Sequence, residues 1–582
     1  MERKYYTKER NVQIVISLLK ANGIKRIIAS PGTTNMTFVG SIQQDPYFEI
    51  YSSVDERSAA YLACGMAAET NEPVVLSCTG ATASRNYMPG LTEAYYRKLP
   101  ILAITSHRGS DQIGHLKDQQ IDRRSLPNDI AVESVTIPMA KSPREIRHCE
   151  IEANKAILAL KLNGGGPVHI NLFTEYTPDF SIKELPLTNS IFRYTINDDL
   201  PALPQNSKIA IFIGSHHNFS KEEIEIIDNF CESNNSIVFC DHTSGYTGKY
   251  AIKPHLIFGQ SKYNSPIRYV DLLIHLGEVC GTNHPFPKEV WRISEDGCLR
   301  DTFGKLTKVF MMPEKSFFKH YITKGEKKLE YYNKCVEEKE KILSYIPDLP
   351  FGNIWIAQQT IGKLPQNSEL HMGIFNSLRS WSFFDLPKGV LGKCNVGGFG
   401  IDGGLSTMIG ASIIRRDKTF FGVFGDLAFF YDMNVLGNRH IGNNIRIMLI
   451  NNSRGTEFRL NSHPCAIFGE EADPYMAAYG HFGKQSPTLV KGIAESLGFI
   501  YLTAKDKDSF LNNINTFLDT SKTAKCPIIF EIFTNTSNES EALELIQNTY
   551  IDKKREYVQN VGKLVRKIAG EKGINLIKKY TS

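Results

Sequence analysis

Two apolar runs that each end in a polar motif constrain the fold of this chain more than any other feature. The run at 419–424 leads into Gly425-Asp426-Leu427, and the run at 445–450 leads into Asn451-Asn452, 24 residues further on. Apolar runs of this kind predict buried strands, and the spacing leaves room for a helix that joins two parallel strands. The sequence therefore predicts a strand–helix–strand unit with Asp426 and Asn452 at the carboxyl ends of neighbouring strands.

The carboxyl ends of the strands are where open α/β sheets bind their ligands. A carboxylate from Asp426 and an amide from Asn452 are hard oxygen ligands of the kind that Mg²⁺ takes together with phosphate oxygens. Gly425, directly before the carboxylate, allows a diphosphate to come close to the backbone. A Gly-Asp pair alone is common in proteins, so its interpretation depends on the rest of the chain.

A second pattern lies near the amino terminus. A predicted helix rich in small residues begins at Asp55-Glu56, and an acidic residue in the first turn of a helix is electrostatically favourable. Taken alone, Glu56 is therefore an ordinary residue of a helix start. A strand at 73–79, a turn at Gly80, a helix at 86–96 and a strand at 100–105 come next. This order predicts a parallel α/β unit at the amino-terminal end as well.

Together the two patterns resemble the thiamine diphosphate (ThDP)-dependent decarboxylases and carboligases. Within that family they look like the menaquinone-pathway branch, which makes 2-succinyl-5-enolpyruvyl-6-hydroxycyclohexene-carboxylate from 2-oxoglutarate and isochorismate. The motifs that carry the resemblance stand at 30–32, 55–60, 93–96, 400–403, 425–427 and 431–434. They lie in what would be the two cofactor-binding domains, while the middle of the chain matches only in type.

The resemblance implies roles for individual residues. Glu56 would activate the cofactor through its pyrimidine ring, and Ile401 would bend the cofactor by its bulk. Asp426, Asn452 and the backbone carbonyl of Arg454 are the implied Mg²⁺ ligands. The other implied cofactor contacts are Gly80, Asn376, Gly425, Leu427 and Ala428. The expected cofactors are therefore ThDP and Mg²⁺.

Further candidates concern the substrate and proton transfer. Arg108 and Gln119 fall where the family has pocket residues, and we expect both to contact substrate. Imidazoles titrate near neutral pH, so His107 and His115 join Gln119 as candidate catalytic groups, although each histidine alone is an ordinary structural residue. The remaining expected substrate residues are Thr33, Thr34, Ser377, Trp381 and Phe458, with His463 as a weaker candidate.

The expected substrate pocket departs from the menaquinone-pathway branch. Where that branch carries carboxylate-binding arginines, this chain has Thr34, Trp381 and Val396. A guanidinium grips a carboxylate with two parallel hydrogen bonds, which none of these side chains can reproduce. We therefore predict a small 2-oxo acid such as pyruvate as the donor, and an acceptor that is less anionic than isochorismate.

The favoured function is ThDP- and Mg²⁺-dependent decarboxylation of that small 2-oxo acid, with transfer of the acyl carbanion to an acceptor carbonyl. Three alternatives stay open. They are a plain 2-oxo acid decarboxylase that releases an aldehyde, a menaquinone-pathway synthase that uses 2-oxoglutarate, and a non-catalytic subunit with the same fold. The last is disfavoured because Glu56, Asp426 and Asn452 are all present.

The 582 residues are enough for three domains of ordinary size. We predict an α/β protein with three doubly wound parallel-sheet domains of the ThDP-enzyme type. These are a pyrimidine-binding domain at 1–185, a central domain at 200–345 and a diphosphate-binding domain at 351–545. The glycine turn at 214–217 lacks the three-glycine fingerprint, so FAD is not supported. Residues 546–582 form a basic tail whose apolar residues recur at helical spacing.

Composition excludes several classes of protein. The 42% hydrophobic and 22% charged residues fit a soluble globular protein, and a formal charge of +5 gives no case for nucleic acid. No apolar run is long enough for a membrane span, and the amino terminus lacks a signal-peptide stretch. Eleven scattered cysteines without a Cys-x-x-Cys pair predict a reducing cytoplasm. The family resemblance further implies a homodimer or homotetramer, because such sites form between subunits.

Overall fold

The computed structural model describes residues 4–325, 327, 329–460, 463–482, 484–521 and 525–551. The chain divides into two compact units. The first comprises Met1–Leu200 and Glu295–Met311, and the second comprises Pro201–Ser294 and Met312–Ser582. The predicted tail lies outside the described residues from position 552 onward, and the three predicted domain boundaries stay a prediction.

A six-stranded parallel sheet forms the centre of the first unit. Its strands are β1 (Arg26–Ala29), β2 (Glu49–Ser52), β3 (Val74–Thr79), β4 (Ile101–His107), β5 (Glu133–Ile137) and β6 (Val168–Phe173). The order across the sheet is β2-β1-β3-β4-β6-β5. Strand β1 pairs with both β2 and β3, so the strand order reverses there. The loops after β1 and β3 therefore flank a topological switch point.

Helices cover both faces of this sheet, because alternate residues of its strands enter two different cores. Leu102 and Ile104 of β4 lie in one core, while Ile101 and Ala103 lie in the other. Such two-sided burial is typical of parallel sheets. The helices of this unit are α1 (Arg10–Ala21), α2 (Met36–Ile42), α3 (Glu56–Thr70), α4 (Thr82–Asn86), α5 (Met88–Arg97) and α6 (Pro143–Ala159).

The small residues of α3 let it pack closely against α5. A Cβ atom added at Gly90 of α5 would lie 2.4 Å from the Cβ atom of Ala60. Ala59, Ala60 and Ala63 are fully buried at this contact. The close packing fixes the position of α3 and therefore of Glu56, its first residue.

The middle of the chain supplies seven more strands. They are β7 (Phe192–Thr195), β8 (Ile209–Ile213), β9 (Ile237–Cys240), β10 (Ala251–Ile252), β11 (Tyr269–Leu276), β12 (Phe286–Ile293) and β13 (Leu306–Met311). In the second unit, parallel strands follow in the order β10-β9-β8-β11-β12, and in the first unit β13 pairs in parallel with β7. The helices of this region are α7 (Lys221–Asn234), α8 (His255–Phe258), α9 (Glu314–Tyr321) and α10 (Glu330–Ser344).

The last sheet repeats the strand order of the first. Its strands are β14 (Ser368–Met372), β15 (Leu391–Lys393), β16 (Thr419–Gly425), β17 (Ile445–Asn451), β18 (Ile500–Ala504) and β19 (Ile528–Phe533), in the order β15-β14-β16-β17-β19-β18. Its helices are α11 (Asn353–Thr360), α12 (Asn376–Trp381), α13 (Gly404–Ile414), α14 (Asp426–Asp432), α15 (Leu489–Ser496), α16 (Lys507–Leu518) and α17 (Thr536–Gln547). The switch point of this sheet lies between β14 and β16.

The predicted fold class is confirmed, since the chain folds into three α/β parts whose sheets are parallel. All eleven cysteines are free thiols. Across the described part of the chain, no helix combines the length and apolar character that crossing a bilayer requires.

Candidate active site

Asp426 and Asn452 follow two neighbouring parallel strands, β16 and β17, in which Gly425 is paired with Ile450. The Asp426 side chain is 4% exposed and accepts three backbone hydrogen bonds. Its Oδ1 atom accepts from the N–H of Leu427 at 2.7 Å. Its Oδ2 atom accepts from the N–H groups of Asn452 and Arg454, each at 3.1 Å. The carboxylate therefore ties the start of α14 to the loop after β17.

The electrostatics of this carboxyl group favour a bound cation. Burial raises the pKa of Asp426 to about 7, and only backbone N–H groups oppose that rise. A buried carboxylate without a positive partner carries a large desolvation cost, which a divalent ion would offset. A Cβ atom added at Gly425 would meet nothing within 4 Å, so the backbone beside the carboxylate is open to a ligand. These residues fit a Mg²⁺–diphosphate group.

The candidate metal ligands differ in kind from a cluster of acidic, histidine or cysteine side chains. Within the described ranges, no group of three or more His, Cys, Asp or Glu residues is placed to hold a metal ion. A single carboxylate, an amide oxygen and a backbone carbonyl suit Mg²⁺, which keeps waters and substrate phosphates as its other ligands. Mg²⁺ binding by Asp426, Asn452 and Arg454 therefore stays a prediction that the local chemistry supports.

A cavity of about 500 Å³ opens beside Asp426, within the second unit. Most of the residues that the sequence predicted for this half of the site line it. They are Asn376, Ser377, Ile401, Gly425, Asp426, Leu427, Ala428, Asn452, Arg454, Phe458 and His463. The structure thus brings together residues from five separate stretches of sequence, although their individual roles stay predictions.

Strained backbone at Phe375 marks the β14 side of the cavity. Phe375 has a φ of +65°, a conformation that bulky side chains rarely adopt. The residue directly precedes α12, so its conformation sets the direction in which Asn376 and Ser377 enter the cavity wall. Its ring is 39% exposed and lies edge-on to Phe399, with the ring centroids 5.9 Å apart. Strain of this kind is concentrated at binding sites.

An ion-pair network holds the loop after β17. Nη1 of Arg454 donates to both carboxylate oxygens of Asp473, at 3.0 and 2.9 Å. Nη1 of Arg459 donates to the same carboxylate at 2.6 Å, and the Arg454 guanidinium lies 4.1 Å from the ring centroid of Tyr479. The Arg454 side chain is therefore already engaged, which leaves its backbone as the part available to the predicted metal site.

Glu457 is a cavity residue that the sequence reasoning missed. Its two carboxylate oxygens accept from Arg379, at 2.8 and 2.6 Å. Arg379 stands two positions before Trp381, where the family resemblance expects an arginine. The available signal was therefore an arginine shifted along the same short helix. Because its charge is paired with Glu457, this guanidinium is not free to grip a substrate carboxylate.

Trp381 does not line the cavity, contrary to its predicted contact with the acceptor. The side chain is 1% exposed, and its indole N–H donates to Oδ1 of Asn353 at 3.1 Å. Asn353 does line the cavity, so Trp381 lies behind the wall and holds it. Val396 is also buried, at 2% exposure. An aromatic side chain on a short helix can face either the core or a ligand, and the Trp381 ring packs in the core.

Replacing Trp381 with phenylalanine tests this placement. The change removes the hydrogen bond to Asn353 and leaves a buried oxygen without a donor, so we expect a loss of about 1–3 kcal/mol in stability. The KM values for both substrates should stay within about twofold, since the ring does not reach the cavity. Thermal melts and steady-state kinetics measure the two effects. Tyr475→Phe is the control, because Tyr475 is 94% exposed; a large KM change in Trp381→Phe alone would restore the substrate contact.

The first unit holds Glu56 at the start of α3. Asp55 caps this helix through a 2.7 Å hydrogen bond from the N–H of Ser58, which leaves Glu56 as the first helical residue. Nδ2 of Asn86, the last residue of α4, donates to Oε2 of Glu56 at 3.2 Å. The carboxylate is only partly covered within this unit. Its predicted role as the cofactor activator is compatible with this exposure but stays untested.

The other predicted residues of the first unit lie in the loops after β1 and β3, at the end of β4 and in the loop that follows it. Thr34 is buried and donates to the carbonyl of Ser106 at 2.6 Å, whereas Thr33 is exposed. The backbone of Gly80 packs closely against the end of β4, since an added Cβ atom would lie 2.8 Å from the Ser106 carbonyl oxygen. The remaining residues of this group are His107, Arg108, His115 and Gln119.

These four residues differ in their surroundings. Burial lowers the pKa of His107 to about 3, so this imidazole is neutral at physiological pH. Nη2 of Arg108 donates to Oδ2 of Asp118 at 3.1 Å, so the guanidinium is paired within its own loop. His115 and Gln119 are exposed. A neutral, buried His107 does not fit the predicted proton relay near neutral pH, because it does not titrate there.

Two comparisons show which known proteins this chain is similar to. Residues 10–126 match the family described as thiamine pyrophosphate enzyme, N-terminal TPP binding domain. A protein from Bacteroides thetaiotaomicron named 2-succinyl-5-enolpyruvyl-6-hydroxy-3-cyclohexene-1-carboxylate synthase is 28% identical over 564 residues, which cover 93% of this chain and 98% of that protein. Synthases of the same name from Flavobacterium johnsoniae and Desulfotalea psychrophila are 28% and 24% identical, over 91% and 88% of this chain and 97% and 96% of their own lengths.

Proposed function

We propose, from the premise that this chain is a ThDP-dependent enzyme, that it decarboxylates 2-oxoglutarate and transfers the resulting succinyl fragment to isochorismate. The observation that carries this proposal is the match to relatives named for the product of that reaction, along nearly their full length. It replaces pyruvate, which the sequence favoured as donor, because the relatives described above are named for a succinyl-containing product.

The chain's own residues supply binding and orientation in this proposal. Asp426, Asn452 and the Arg454 carbonyl would hold Mg²⁺ and, through it, the cofactor diphosphate. Glu56 would accept a hydrogen bond from the pyrimidine ring and favour the tautomer that removes a proton. When bound, ThDP supplies the carbanion chemistry that decarboxylation requires. The partly apolar wall of Ile401 and Phe458 would keep water away from the reacting carbon.

One observation favours a second candidate, a carboligase that uses pyruvate. Thr34, Trp381 and Val396 carry no positive charge, and all three are buried. The arginines that the resemblance expects at those positions are therefore absent, and Arg379 is paired with Glu457. A donor whose single carboxylate departs as CO₂ needs no second grip, so pyruvate stays the alternative.

Product analysis separates the two candidates. The protein is incubated with ThDP, Mg²⁺ and either 2-oxoglutarate or pyruvate, with and without isochorismate, and CO₂ release and product mass are measured. The proposal expects a succinyl adduct that forms only when both 2-oxoglutarate and isochorismate are present. Turnover of pyruvate but not of 2-oxoglutarate would contradict it, and CO₂ release with aldehyde but no adduct would indicate a plain decarboxylase.

We expect the active form to be a homo-oligomer. In the first unit, Tyr61 and Leu62 are 48% and 49% exposed on α3, the helix that begins with Glu56. In the second unit, Tyr431 on α14, the helix that begins with Asp426, is 64% exposed. Apolar side chains exposed on helices next to candidate site residues support burial against another subunit. Sedimentation at micromolar concentration should give a dimer or tetramer, and a fully active monomer would contradict this expectation.

A further inference from the structure

A carboxylate lies in the core of the second unit without a positively charged partner. Glu531, in the middle of β19, is 0% exposed and is paired across the sheet with Leu449, a residue of the apolar core. Burial raises the pKa of Glu531, and only hydrogen bonds from Asn451 and Tyr501 oppose that rise within the described part of the chain. A buried carboxylate without a cation is costly, so its presence in this core calls for a function.

The two hydrogen bonds of the carboxylate connect it to two neighbouring strands. Its Oε1 atom accepts from Nδ2 of Asn451 at 2.7 Å. Its Oε2 atom accepts from the hydroxyl group of Tyr501 at 2.8 Å. Asn451 is the last residue of β17, and Tyr501 lies in β18, the edge strand on the other side of β19. The carboxylate therefore fixes the end of the strand that leads into the predicted metal site.

The side chain of Asn451 transmits this contact to the loop after β17. Its Oδ1 atom accepts from the N–H of Ser453 at 3.2 Å, while its NH₂ group donates to Glu531. Rotating the amide by half a turn would place the NH₂ group against the N–H of Ser453 and the oxygen against the carboxylate. Glu531 thus determines that the oxygen of Asn451 faces the loop.

The hydrogen bond from Ser453 supports an uncommon backbone conformation. Ser453 has a φ of +58°, in the left-handed region that residues with a side chain rarely adopt. It stands between Asn452 and Arg454, whose N–H groups both donate to Oδ2 of Asp426 at 3.1 Å. The left-handed residue turns the chain so that both neighbours face the same carboxylate. The relative position of two predicted metal ligands therefore depends on the side chain of Asn451.

We propose that Glu531 is a positioning residue for the metal loop, which is the segment Asn452–Arg454. The inference rests on the Mg²⁺ site of the proposed function and deepens it, since it identifies a residue outside the site that sets the geometry of the site. Glu531 acts through Asn451, whose amide holds Ser453 in its left-handed conformation. Groups that orient metal ligands from behind contribute to metal affinity without touching the metal.

This role explains why a carboxylate occupies a core position. Asn451 and Tyr501 both present donors to position 531, and an ionised carboxylate is the side chain that offers two acceptor oxygens and no donor. An apolar side chain would fill the same space but would leave the Asn451 amide free to rotate. The carboxylate is thus retained for the orientation that it imposes, at the expense of its burial.

Glu531→Leu tests the proposal, with Tyr501→Phe as the matched control. Leucine has similar volume and no acceptor, so we expect the Kd of Mn²⁺, measured by electron paramagnetic resonance in the presence of ThDP, to rise about 10-fold. Tyr501→Phe removes the other hydrogen bond of the same carboxylate and leaves Asn451 in place. It should lower the Tm of the ligand-free protein and keep the wild-type Kd of Mn²⁺. An unchanged Kd in Glu531→Leu, or an equal rise in both variants, would overturn the proposal.

A second substitution distinguishes positioning from a general loss of stability. Glycine adopts a φ near +58° without strain, so adding Ser453→Gly to Glu531→Leu should restore most of the lost Mn²⁺ affinity. Failure to restore it would refute the route through Ser453. If Glu531→Leu does not fold, Asn451→Ala takes its place, because it removes the acceptor of the Ser453 N–H and leaves the Tyr501 hydrogen bond intact. An unchanged Kd of Mn²⁺ in Asn451→Ala would equally overturn the proposal.

Asp426→Asn, measured in the same Mn²⁺ titration, separates this inference from the proposed function. If Mn²⁺ affinity falls in Asp426→Asn but not in Glu531→Leu, the positioning role alone fails. If it falls in neither variant, the proposed metal site fails as well. If it falls in both variants but the wild-type protein forms no succinyl adduct, the proposed substrates are wrong and the positioning role of Glu531 stands.

Discussion

Glu56→Gln is expected to slow hydrogen–deuterium exchange at C2 of bound ThDP by a factor on the order of 100 or more. General acid–base groups contribute at least this much, and an amide cannot bias the pyrimidine tautomer as a carboxylate does. ThDP affinity should change little. Glutamine has nearly the same size, and its side-chain oxygen can still accept the hydrogen bond that Asn86 donates to Glu56. Exchange is followed by proton NMR after acid quenching of the enzyme–cofactor complex.

Glu69→Gln is the control for this experiment. Glu69 is an exposed carboxylate on the same helix, α3, far along the chain from its first turn. It should leave both exchange and affinity at wild-type values. Exchange that is equally fast in Glu56→Gln and the wild type would remove Glu56 from the mechanism. A large loss of ThDP affinity without slower exchange would make it a binding residue only.

Asp426→Asn is expected to weaken Mg²⁺-dependent ThDP binding by about 10- to 100-fold. A contact to a charged group contributes roughly 1.5–3 kcal/mol, and the substitution removes the only carboxylate among the three predicted ligands. In the wild-type protein both carboxylate oxygens of Asp426 accept backbone hydrogen bonds. The asparagine amide has only one oxygen, so its NH₂ group would face backbone N–H donors, and the Tm of the ligand-free variant should be lower. The informative quantity is therefore the rise in Tm that ThDP with Mg²⁺ produces in each variant.

Asp417→Asn controls for the loss of a carboxylate near the same strand. Asp417 is exposed, pairs with Arg415 and lies just before β16, at the end opposite Asp426. Its variant should keep the full rise in Tm. If Asp426→Asn also kept the full rise, neither the metal assignment nor the proposed position of the diphosphate could stand. Titration with Mn²⁺ in place of Mg²⁺ gives a second, spectroscopic measure of metal affinity.

Most strands of the fold could be predicted from local sequence, because parallel strands that are buried on both faces consist of short runs of apolar residues. The strands predicted at 73–79, 419–424 and 445–450 agree with β3, β16 and β17 to within one residue. Helix limits were less accurate. The helix predicted at 86–96 corresponds to α5 (Met88–Arg97), which begins two residues later than predicted, after the end of α4 at Asn86, and has Pro89 in its first turn, where proline is tolerated.

The sequence by itself determined that Asp426 and Asn452 lie together at one edge of the last sheet. Asp426 and Asn452 directly follow apolar runs, and a parallel sheet places such positions at one edge whatever else the chain does. The equal strand orders of the first and last sheets could not be read in this way. The strand order depends on which strands pair, and the sequence contains no visible repeat that would indicate the same pairing in both sheets.

Only the tertiary structure decided the surroundings of individual side chains. Trp381 could have faced a ligand, but Asn353 and the core around it bury its indole. Arg123 resembled any charged loop residue, like Arg124 next to it, until packing against Gly80 and His107 enclosed one guanidinium and left the other in solvent. The physical reason is the same in both cases. Burial and pairing depend on contacts with residues distant in sequence, and a local pattern carries no record of them.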